Sequence, residues 1–567
     1  MHLLDWIVLV TTLLAIIVYG MYKSSGSKNI SDYFLGSKEM PWYFVMFSVI
    51  STQASAITFI SAPGQAFTDG MRFVQFYFGM PIAMLVVSFV FMPMFRKANV
   101  FTAYQFLEKR FDVKTRAFTA LLFLLQRGLS AGLTIYAPAL ILSSVLGWNI
   151  WIANLVMGGL VIVYTVSGGT KAVSYTQFQQ MLVITIGMFI AGFMVVKLLP
   201  DGVGFFDAVK IADAVGNMNT ITTNFNMNDK YNVWSGLIGG FFLSLAYFGT
   251  DQSQVGRYLT GKSESETRKG LLTTALVKIP MQYSILLIGA LLVAFYHFHN
   301  APIFFNETAL QKARVNASQE FNELEKKYTV IQEEKRNTAF AYIQSNNPQE
   351  QTQLKNSLQE LKTTEQKLRS ETKALITQTN PSSDTNDTNY IFLNFVLHYL
   401  PAGLIGLLIA VIFCASWSST ASELNALAST SVIDLYKRLL VTDRNEQHYV
   451  FVSKLLTVFW GIIAILVAQF ASALGSMIEA VNVLGSLFYG TTLGVFVVAF
   501  FVKYIKGTAV FFAAIVAEIT VIILYQNETT AFLWLNMIGC LLVVLLGMAF
   551  QFILNKQTPP STLKNSA

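Results

Sequence analysis

Oxygen-bearing side chains are concentrated in one apolar stretch of the sequence. The sixteen residues CASWSSTASELNALAS, Cys414 to Ser429, hold six hydroxyls, one amide and one carboxylate, and follow the apolar run AGLIGLLIAVIF. On a helix, Ala415, Ser418, Ser419 and Ser422 would share one face. Carbonyl and hydroxyl oxygens without thiolate or imidazole suit a small hard cation, so this face predicts a Na⁺ site. The alternative is that the serines bond carbonyls of their own helix or tighten its packing.

A cation site on this face needs oxygens from a second element. The stretch ISTQASAITFISAPGQAF is polar, and Pro63 and Gly64 are expected to weaken its helix. An interrupted helix frees backbone carbonyls that can coordinate an ion. The stretch AYFGTDQSQ, with Gly249 and Asp251, predicts a second interruption further along the chain.

Membrane helices are the elements that must position these groups. The chain has 567 residues, of which 54% are hydrophobic and 13% charged, about half the charged fraction of a soluble domain. Apolar runs of about 20 residues recur, long enough to cross roughly 30 Å of hydrocarbon. The alternating runs of a transmembrane β-barrel are missing from the sequence. Cys414 and Cys540 both lie in apolar runs, which argues against a disulfide. We therefore predict an all-α polytopic membrane protein.

We predict about thirteen transmembrane helices. They cover roughly residues 4–22, 40–66, 73–95, 117–146, 149–167, 175–199, 232–252, 270–297, 391–436, 448–472, 476–502, 507–526 and 530–554. Basic residues are concentrated in every second loop, and the positive-inside rule places those loops in the cytoplasm. The N-terminus is then outside and the C-terminus inside. The same rule accounts for the net charge of +7 without a nucleic-acid partner.

The long polar segment at 300–390 differs from the rest of the chain. Its apolar residues follow helical spacing on two arms: Phe321, Leu324, Tyr328 and Ile331, then Leu354, Leu358, Leu361, Leu368 and Leu375. The residues SNNPQE between the arms are typical of a turn. This pattern predicts an antiparallel helical hairpin on the outer face, with a disordered loop as the alternative.

Several stretches together resemble the sodium:solute symporter family. They include ISDYFLGSKEMPWYFVMFSVISTQASAITFISAPGQAF, YTVSGGTKAVSYTQFQQ, YFGTDQSQVGRYLTGKSESETRKG and STASELNALASTSVIDLYKR. The motifs IYAPALIL and DQSQVGRYL are most similar to the branch that holds iodide, monocarboxylate and multivitamin carriers. The resemblance implies a LeuT-type core of two inverted five-helix repeats, which here would be spans two to eleven.

The resemblance also implies where ion and solute bind. The family's sodium site matches Ser51, Ala54, Ala415, Ser418 and Ser419, and three of these lie on the face derived above. The positions that match the family's solute cavity are Gln53, Thr58, Tyr77, Ser244, Tyr247 and Lys278.

The sequence departs from the family at one position. Many members have an aspartate where this chain has Gln177, and that aspartate helps to form a second sodium site with hydroxyls of the eighth core helix. Here Ser422 keeps its hydroxyl and Glu423 follows it. One hypothesis is that Glu423 supplies the missing charge, so that Gln177, Ser422 and Glu423 form a second cation or proton site. The alternative is that Glu423 is a protonated or hydrogen-bonded packing group.

Two further charges lie inside predicted spans. Lys278 is expected either to be a counter-charge for a polar or anionic solute or to extend toward the cytoplasm. Asp251 is expected to cap a helix or to pair with Arg257 near the inner face.

These observations predict a sodium-coupled secondary symporter of the cell membrane that imports a small polar or anionic organic solute by alternating access. The segments are 1–39, an extra helix and loop; 40–199, the first repeat; 200–231, an outer loop; 232–502, the second repeat, interrupted at 300–390; and 503–567, two helices and a tail. The expected partners are Na⁺, a solute and lipid, with no obligate protein partner. We do not expect the protein to be an enzyme, because the sequence shows neither a nucleophile–base pattern nor a metal-ligand pattern. A proton-coupled or uncoupled carrier and a transporter-like sensor stay open as alternatives.

Overall fold

A computed structural model describes residues 1–23, 38–379 and 385–557, and these ranges are helical apart from loops and one isolated bridge between Met40 and Gly261. The α-helices are α1 (Leu3–Lys23), α2 (Trp42–Gln53), α3 (Ala56–Asp69), α4 (Met80–Val86), α5 (Met92–Ala98), α6 (Ala103–Arg110), α7 (Val113–Leu146), α8 (Ile150–Lys197), α9 (Phe205–Ala214), α10 (Gly240–Thr250), α11 (Gln252–Tyr258), α12 (Glu264–Phe298), α13 (Glu307–Asn316), α14 (Ser318–Gln344), α15 (Pro348–Thr379), α16 (Ile391–Tyr399), α17 (Leu404–Thr430), α18 (Glu446–Ala468), α19 (Met477–Phe501), α20 (Gly507–Gln526) and α21 (Phe532–Gln557). Short 3-10 helices lie at Gly70–Tyr77, Thr388–Tyr390 and Ala471–Leu474, and π-helical turns at Val87–Phe91, Ser235–Gly239 and Ser431–Leu440. The predicted all-α class is confirmed.

The apolar helices follow the predicted spans. Nine helices in the described ranges are long and apolar enough to cross a membrane, and three shorter apolar helices lie at Leu3–Ile16, Ile150–Val166 and Ser235–Thr250. One of the nine, Ala56–Ala98, covers parts of the second and third predicted spans. Each predicted span overlaps one of these segments. The count of thirteen and the orientation of the termini stay predictions.

Helix α8 contains the fifth and sixth predicted spans in one continuous run of 48 residues. The hydroxyls of Tyr164 and Thr176 are hydrogen-bonded to each other. Twelve residues would separate these positions by about 18 Å along a straight helix. The helix therefore bends sharply between them, which lets both predicted spans lie in the same bilayer.

Helix α17 lies at the centre of the molecule. In the segment Leu404–Leu440, 89% of the most apolar window is buried within the protein. The predicted span 391–436 is in fact two helices, because Gly403 has a positive φ of 91° and separates α16 from α17. The Asp5 carboxylate of α1 accepts the backbone N–H of Gly403 at 2.6 Å and of Gly406 at 3.2 Å, and so satisfies the free donors at this helix start. Both cysteines, Cys414 in α17 and Cys540 in α21, are buried and free.

Helices α14 and α15 form an antiparallel hairpin with the turn at residues 345–347. Its apolar seam includes Phe321, Tyr328, Leu368 and Leu375, which belong to one buried cluster. Beside that seam, Lys335 donates to Glu365 at 2.6 Å. Burial alone would raise the pKa of Glu365, but Lys335 and Arg369 outweigh that effect and lower it to about 2. The hairpin thus contains a buried ion pair as well as an apolar seam.

The hairpin is connected to the C-terminal end of α3 through Asn217. Lys362 of α15 donates to Asn217 Oδ1 at 2.7 Å. The amide nitrogen of Asn217 donates to the carbonyls of Ala66 at 3.0 Å and Phe67 at 2.8 Å, in the last turns of α3. The Ala66 carbonyl also accepts the backbone N–H of Gly70, so the bond to Phe67 is the one that satisfies a carbonyl left free at the helix end.

The interruption in the second predicted span is not where Pro63 and Gly64 were expected to place it. Pro63 lies inside α3, and the break falls at residues 54–55. Gly64 instead permits close packing, because a Cβ there would lie 1.9 Å from the carbonyl oxygen of Thr388.

We expect Gly64→Ala to lower the apparent melting temperature of the purified protein in detergent. A methyl group at Gly64 collides with the rigid Thr388 carbonyl, and overpacking of this kind costs about 1–3 kcal/mol. The control is Gly159→Ala in α8, where a Cβ meets no atom within 4 Å. Equal melting temperatures of the two variants would contradict this account of Gly64.

Candidate functional site

The break between α2 and α3 frees buried backbone oxygens from their helical hydrogen bonds. Ser55 is extended, with φ −79° and ψ 174°, and Ala54 also leaves the helical region. The Ser55 N–H donates to the Gln53 carbonyl at 3.1 Å instead of to Ser51, its partner in a regular helix. The Ser51 carbonyl is therefore free to interact with another helix.

Helix α17 meets this freed carbonyl with its serine face. Ser418 Oγ lies 3.3 Å from the Ser51 carbonyl and 3.0 Å from the Ala415 carbonyl, and Ser419 Oγ also lies 3.0 Å from Ala415 O. All four residues are fully buried. Ala54, the fifth predicted ligand, is buried at the break itself. The structure thus brings together oxygens of Ser51, Ala415, Ser418 and Ser419, a set of hard ligands that fits Na⁺.

Gln177 of α8 bonds the same region from the other side. Its Nε2 donates to Ser422 Oγ at 2.8 Å and to the Ser418 carbonyl at 3.1 Å. Its Oε1 accepts from the Ser48 hydroxyl of α2 at 2.6 Å. Thr52 Oγ1 also donates to Ser422 Oγ, at 3.0 Å. The amide of Gln177 thus joins α2, α8 and α17 by hydrogen bonds.

Glu423 does not join Gln177, which corrects their predicted grouping in one site. Its two carboxylate oxygens accept from Arg127 Nη1 and from Thr134 Oγ1 of α7, each at 3.0 Å. Successive residues of a helix point about 100° apart, so Glu423 faces α7 whereas Ser422 faces α2 and α8.

Arg127 is a buried charge that the sequence reasoning missed. Its guanidinium donates to Asp251 and to Glu423, and lies 2.6 Å from the Tyr489 hydroxyl. Tyr489 in turn donates to Asp251 at 2.8 Å. An arginine in the middle of the span LLFLLQRGLSAGL was a detectable signal, since a charge at that depth is costly unless it is paired.

Asp251 has a different partner from the one predicted. It lies at the break between α10 and α11, and its Oδ1 accepts the Ser253 N–H at 2.8 Å, so the predicted helix cap is confirmed. Its ion-pair partner is Arg127 and not Arg257. The predicted interruption near Gly249 is therefore at Asp251, held by the Arg127 ion pair.

An open cavity lies beside the first break, and the space between its lining residues is about 690 Å³ when the volume open to solvent is included. Four of the predicted solute-binding residues line it: Gln53, Thr58, Tyr77 and Tyr247. The other lining residues are Thr52, Ser55, Ile57, Phe76, Arg127, Thr134, Leu243, Glu423, Ile478, Val481, Asn482 and Tyr489. The cavity thus shares its wall with both the break and the Arg127 cluster.

Ser244 and Lys278 do not line this cavity. Lys278 is fully buried in α12, and its Nζ has no hydrogen-bond partner among the described residues. The Nζ lies 5.9 Å from the centre of the Tyr77 ring, at the limit of a cation–π contact. Lys278 therefore lies behind Tyr77, one side chain away from the cavity.

Comparison with known proteins agrees with this geometry. The model of the sodium:solute symporter family matches residues 33–329 and 373–526, which leaves the middle of the hairpin outside the match. The sodium/sialic acid symporter NanT of Aliivibrio fischeri is 26% identical over 96% of this chain and 92% of its own length. The sodium/sialic acid symporter SiaT of Proteus mirabilis is 27% identical over 96% of this chain and 94% of its own length.

A solved structure shares the fold. A Na⁺-coupled sialic acid symporter in its substrate-bound, outward-open state superposes with a TM-score of 0.75, at 24% identity, over 97% of this chain and 98% of that one. This likeness supports the LeuT-type arrangement expected from the sequence. With its family match, its apolar helices and its two interrupted core helices, the chain belongs to the sodium:solute symporter family, whose members are sodium-coupled membrane transporters and not enzymes.

Proposed function

We propose that Na⁺ binds between α2 and α17, to the carbonyls of Ser51, Ala54 and Ala415 and the hydroxyls of Ser418 and Ser419. The observation that carries the proposal is the 3.3 Å approach of Ser418 Oγ to the Ser51 carbonyl across the two helices. Bound Na⁺ would replace these hydrogen bonds by coordination from the same oxygens. Carbonyls freed by an interrupted helix are the usual source of such ligands in secondary transporters.

Sodium and solute would be coupled through the break. Ser51 and Ala54 are proposed ion ligands, whereas Gln53, Ser55 and Thr58 line the cavity from the same segment. An ion that fixes the break against α17 therefore also fixes one wall of the cavity. Release of the ion would loosen α2 and the break from α17 and favour the opposite opening of the carrier.

We further propose that the protein has one sodium site and not two. The Gln177 amide donates N–H bonds to Ser422 Oγ and the Ser418 carbonyl, oxygens that a cation would otherwise coordinate. Glu423 cannot supply the missing charge to that position while it is bonded to Arg127 and Thr134. The Gln177 amide thus replaces an ion with neutral hydrogen bonds.

The solute is proposed to be a small polar organic molecule with a carboxylate. Sialic acid and monocarboxylates are named among the solutes of similar proteins. With both carboxyls ionised, the cluster of Arg127, Asp251 and Glu423 has a net negative charge and gives no attraction for an anion. Lys278 behind Tyr77 is the nearby cation without an ion pair in the described residues, and a small rotation of Tyr77 would open it to the cavity.

The overall function is tested by uptake into proteoliposomes with and without an inward Na⁺ gradient, against sialic acid, monocarboxylates, sugars, amino acids and inorganic anions. Sodium-dependent uptake of a carboxylate-bearing solute is the expected result. Uptake of a neutral sugar alone would contradict the proposed solute class.

Removing a proposed ion ligand should weaken sodium binding. We expect Ser418→Ala to raise the half-saturating Na⁺ concentration for uptake about ten-fold or more, because a hydrogen bond or ligand contact to a charge contributes about 1.5–3 kcal/mol. Ser416→Ala is the matched control, since Ser416 faces the Thr134 carbonyl of α7 instead. The sodium assignment would be wrong if both variants responded to Na⁺ alike.

Restoring a carboxylate at position 177 should create a second ion site. We expect Gln177→Asp to change the Na⁺ dependence of uptake from hyperbolic to sigmoidal, with the measured Na⁺-to-solute ratio rising from one to about two. Glu423→Gln should leave that ratio unchanged, since Glu423 faces Arg127. A fall in the ratio in Glu423→Gln would instead support Glu423 as an ion ligand.

Removing the charge of Lys278 should weaken binding of an anionic solute. We expect Lys278→Gln to raise KM for the solute about ten-fold with little change in the half-saturating Na⁺, because a counter-charge is lost while the ion site is kept. Lys269→Gln in the same helix is the control, since that side chain is 63% exposed. An unchanged KM in Lys278→Gln would remove Lys278 from the solute site.

A further inference from the structure

A second cavity lies between α11 and α17, apart from the solute cavity. It is lined by Gln252, Gly256, Arg257, Ser422, Asn425, Ala426 and Ser429, and the space between them is about 230 Å³ when the volume open to solvent is included. None of these residues lines the solute cavity. None of these described lining residues has a carboxylate, and Arg257 is the one among them with a formal charge.

Arg257 differs from the other deeply buried arginines. It is 3% exposed, and its Nη1 has no hydrogen-bond partner in residues 1–23, 38–379 and 385–557. Arg116 pairs with both Glu108 and Asp434, and Arg127 pairs with two carboxylates as well. Arg257 forms no such pair within the described part of the chain. A buried guanidinium without a counter-charge is strongly unfavourable.

Asn425 faces the same cavity with its amide unused. It is 2% exposed, and both Nδ2 and Oδ1 lack a hydrogen-bond partner in the described residues. Ser422 and Ser429 are three residues before and four residues after it, so all three lie on one face of α17. The cavity thus combines an uncompensated guanidinium with an unused N–H donor and two hydroxyls.

We propose that this cavity binds one monovalent inorganic anion, with chloride as the physiological ligand. The anion lies against Arg257 Nη1 and Asn425 Nδ2 and accepts hydrogen bonds from their free N–H groups. Among the described lining residues Arg257 has the one formal positive charge, which calls for one negative charge. The two cavities share no lining residue, although Ser422 of this cavity accepts a hydrogen bond from Thr52 of the solute cavity.

The anion site is next to the proposed sodium site, and its effect on sodium rests on that proposal. Ser422 Oγ donates to the Ser418 carbonyl at 2.9 Å, and Ser418 is a proposed sodium ligand. Asn425 is seven residues beyond Ser418, about 10 Å along the helix. An anion at that distance attracts Na⁺ in a medium of low polarity, so chloride strengthens sodium binding.

The first experiment measures anion binding without sodium or solute. Purified protein is heated in potassium chloride or potassium gluconate at equal ionic strength, and the melting temperature is followed as chloride replaces gluconate. A saturable rise with chloride is the expected result. Identical melting temperatures in the two salts would overturn the proposal, whatever becomes of the sodium site.

Two variants with the same number of side-chain heavy atoms as Asn425 separate the effect of charge from that of the N–H donor. Asn425→Asp places a carboxylate beside Arg257, so its melting temperature should no longer respond to chloride. Asn425→Leu removes the N–H donor without adding charge. Its melting temperature should therefore rise only at higher chloride concentrations than in the wild type. A response of Asn425→Asp equal to that of the wild type would overturn the site. If Asn425→Asp does not fold, Asn425→Leu serves as the test. A chloride titration of Asn425→Leu that matches the wild type would then overturn the site.

The second experiment measures the link to transport. Replacing gluconate by chloride on the side that opens to this cavity should lower the half-saturating Na⁺ for uptake about five-fold in the wild type. In Asn425→Asp the half-saturating Na⁺ should be low in both salts. A wild type whose melting temperature responds to chloride but whose Na⁺ dependence does not would retain the anion site and reject its coupling to sodium.

Discussion

A helix that is interrupted inside a membrane must find new partners for the backbone groups that it frees, because the hydrocarbon offers none. The break at residues 54–55 depends on this constraint. The Ser51 carbonyl is met by the Ser418 hydroxyl, and Gln177 holds the same two helices together through Ser48 and Ser422. The groups that stabilise the break are therefore also the groups that could bind an ion, so the site cannot be altered without altering the fold beside it.

The second interruption is satisfied by charge. Asp251 caps α11 with one oxygen and binds Arg127 with the other, and Arg127 reaches Glu423 on α17 and Tyr489 on α19. Four helical elements meet at one guanidinium. Breaking such a buried pair is costly because the remaining charge is left without compensation. The two interrupted helices are thus held differently, the first by hydrogen bonds between neutral groups and the second by a buried ion pair.

Much of this arrangement could be predicted from the sequence, for identifiable reasons. Helical periodicity fixes which residues share a face, so the grouping of Ala415, Ser418 and Ser419 followed directly. Periodicity does not say which neighbour a face meets, and Glu423 therefore turned out to face Arg127 instead of Gln177. Because proline disrupts helices, the sequence predicts the break near Pro63 and Gly64. The structure has Pro63 inside a helix, and the close approach of the Thr388 carbonyl explains the glycine. Lys278 lies behind Tyr77, a separation of one side chain that spacing alone does not resolve.

The burial of both cysteines has a practical consequence for measuring motion in this protein. Thiols enclosed in apolar surroundings react slowly with alkylating reagents, since the reactive thiolate is disfavoured there. Cys414 and Cys540 are the two cysteines of the sequence, and both are enclosed. A single new cysteine at an exposed position would thus be the fast-reacting thiol of the chain, so spectroscopic labels can be attached while the native residue beside Ala415 is kept.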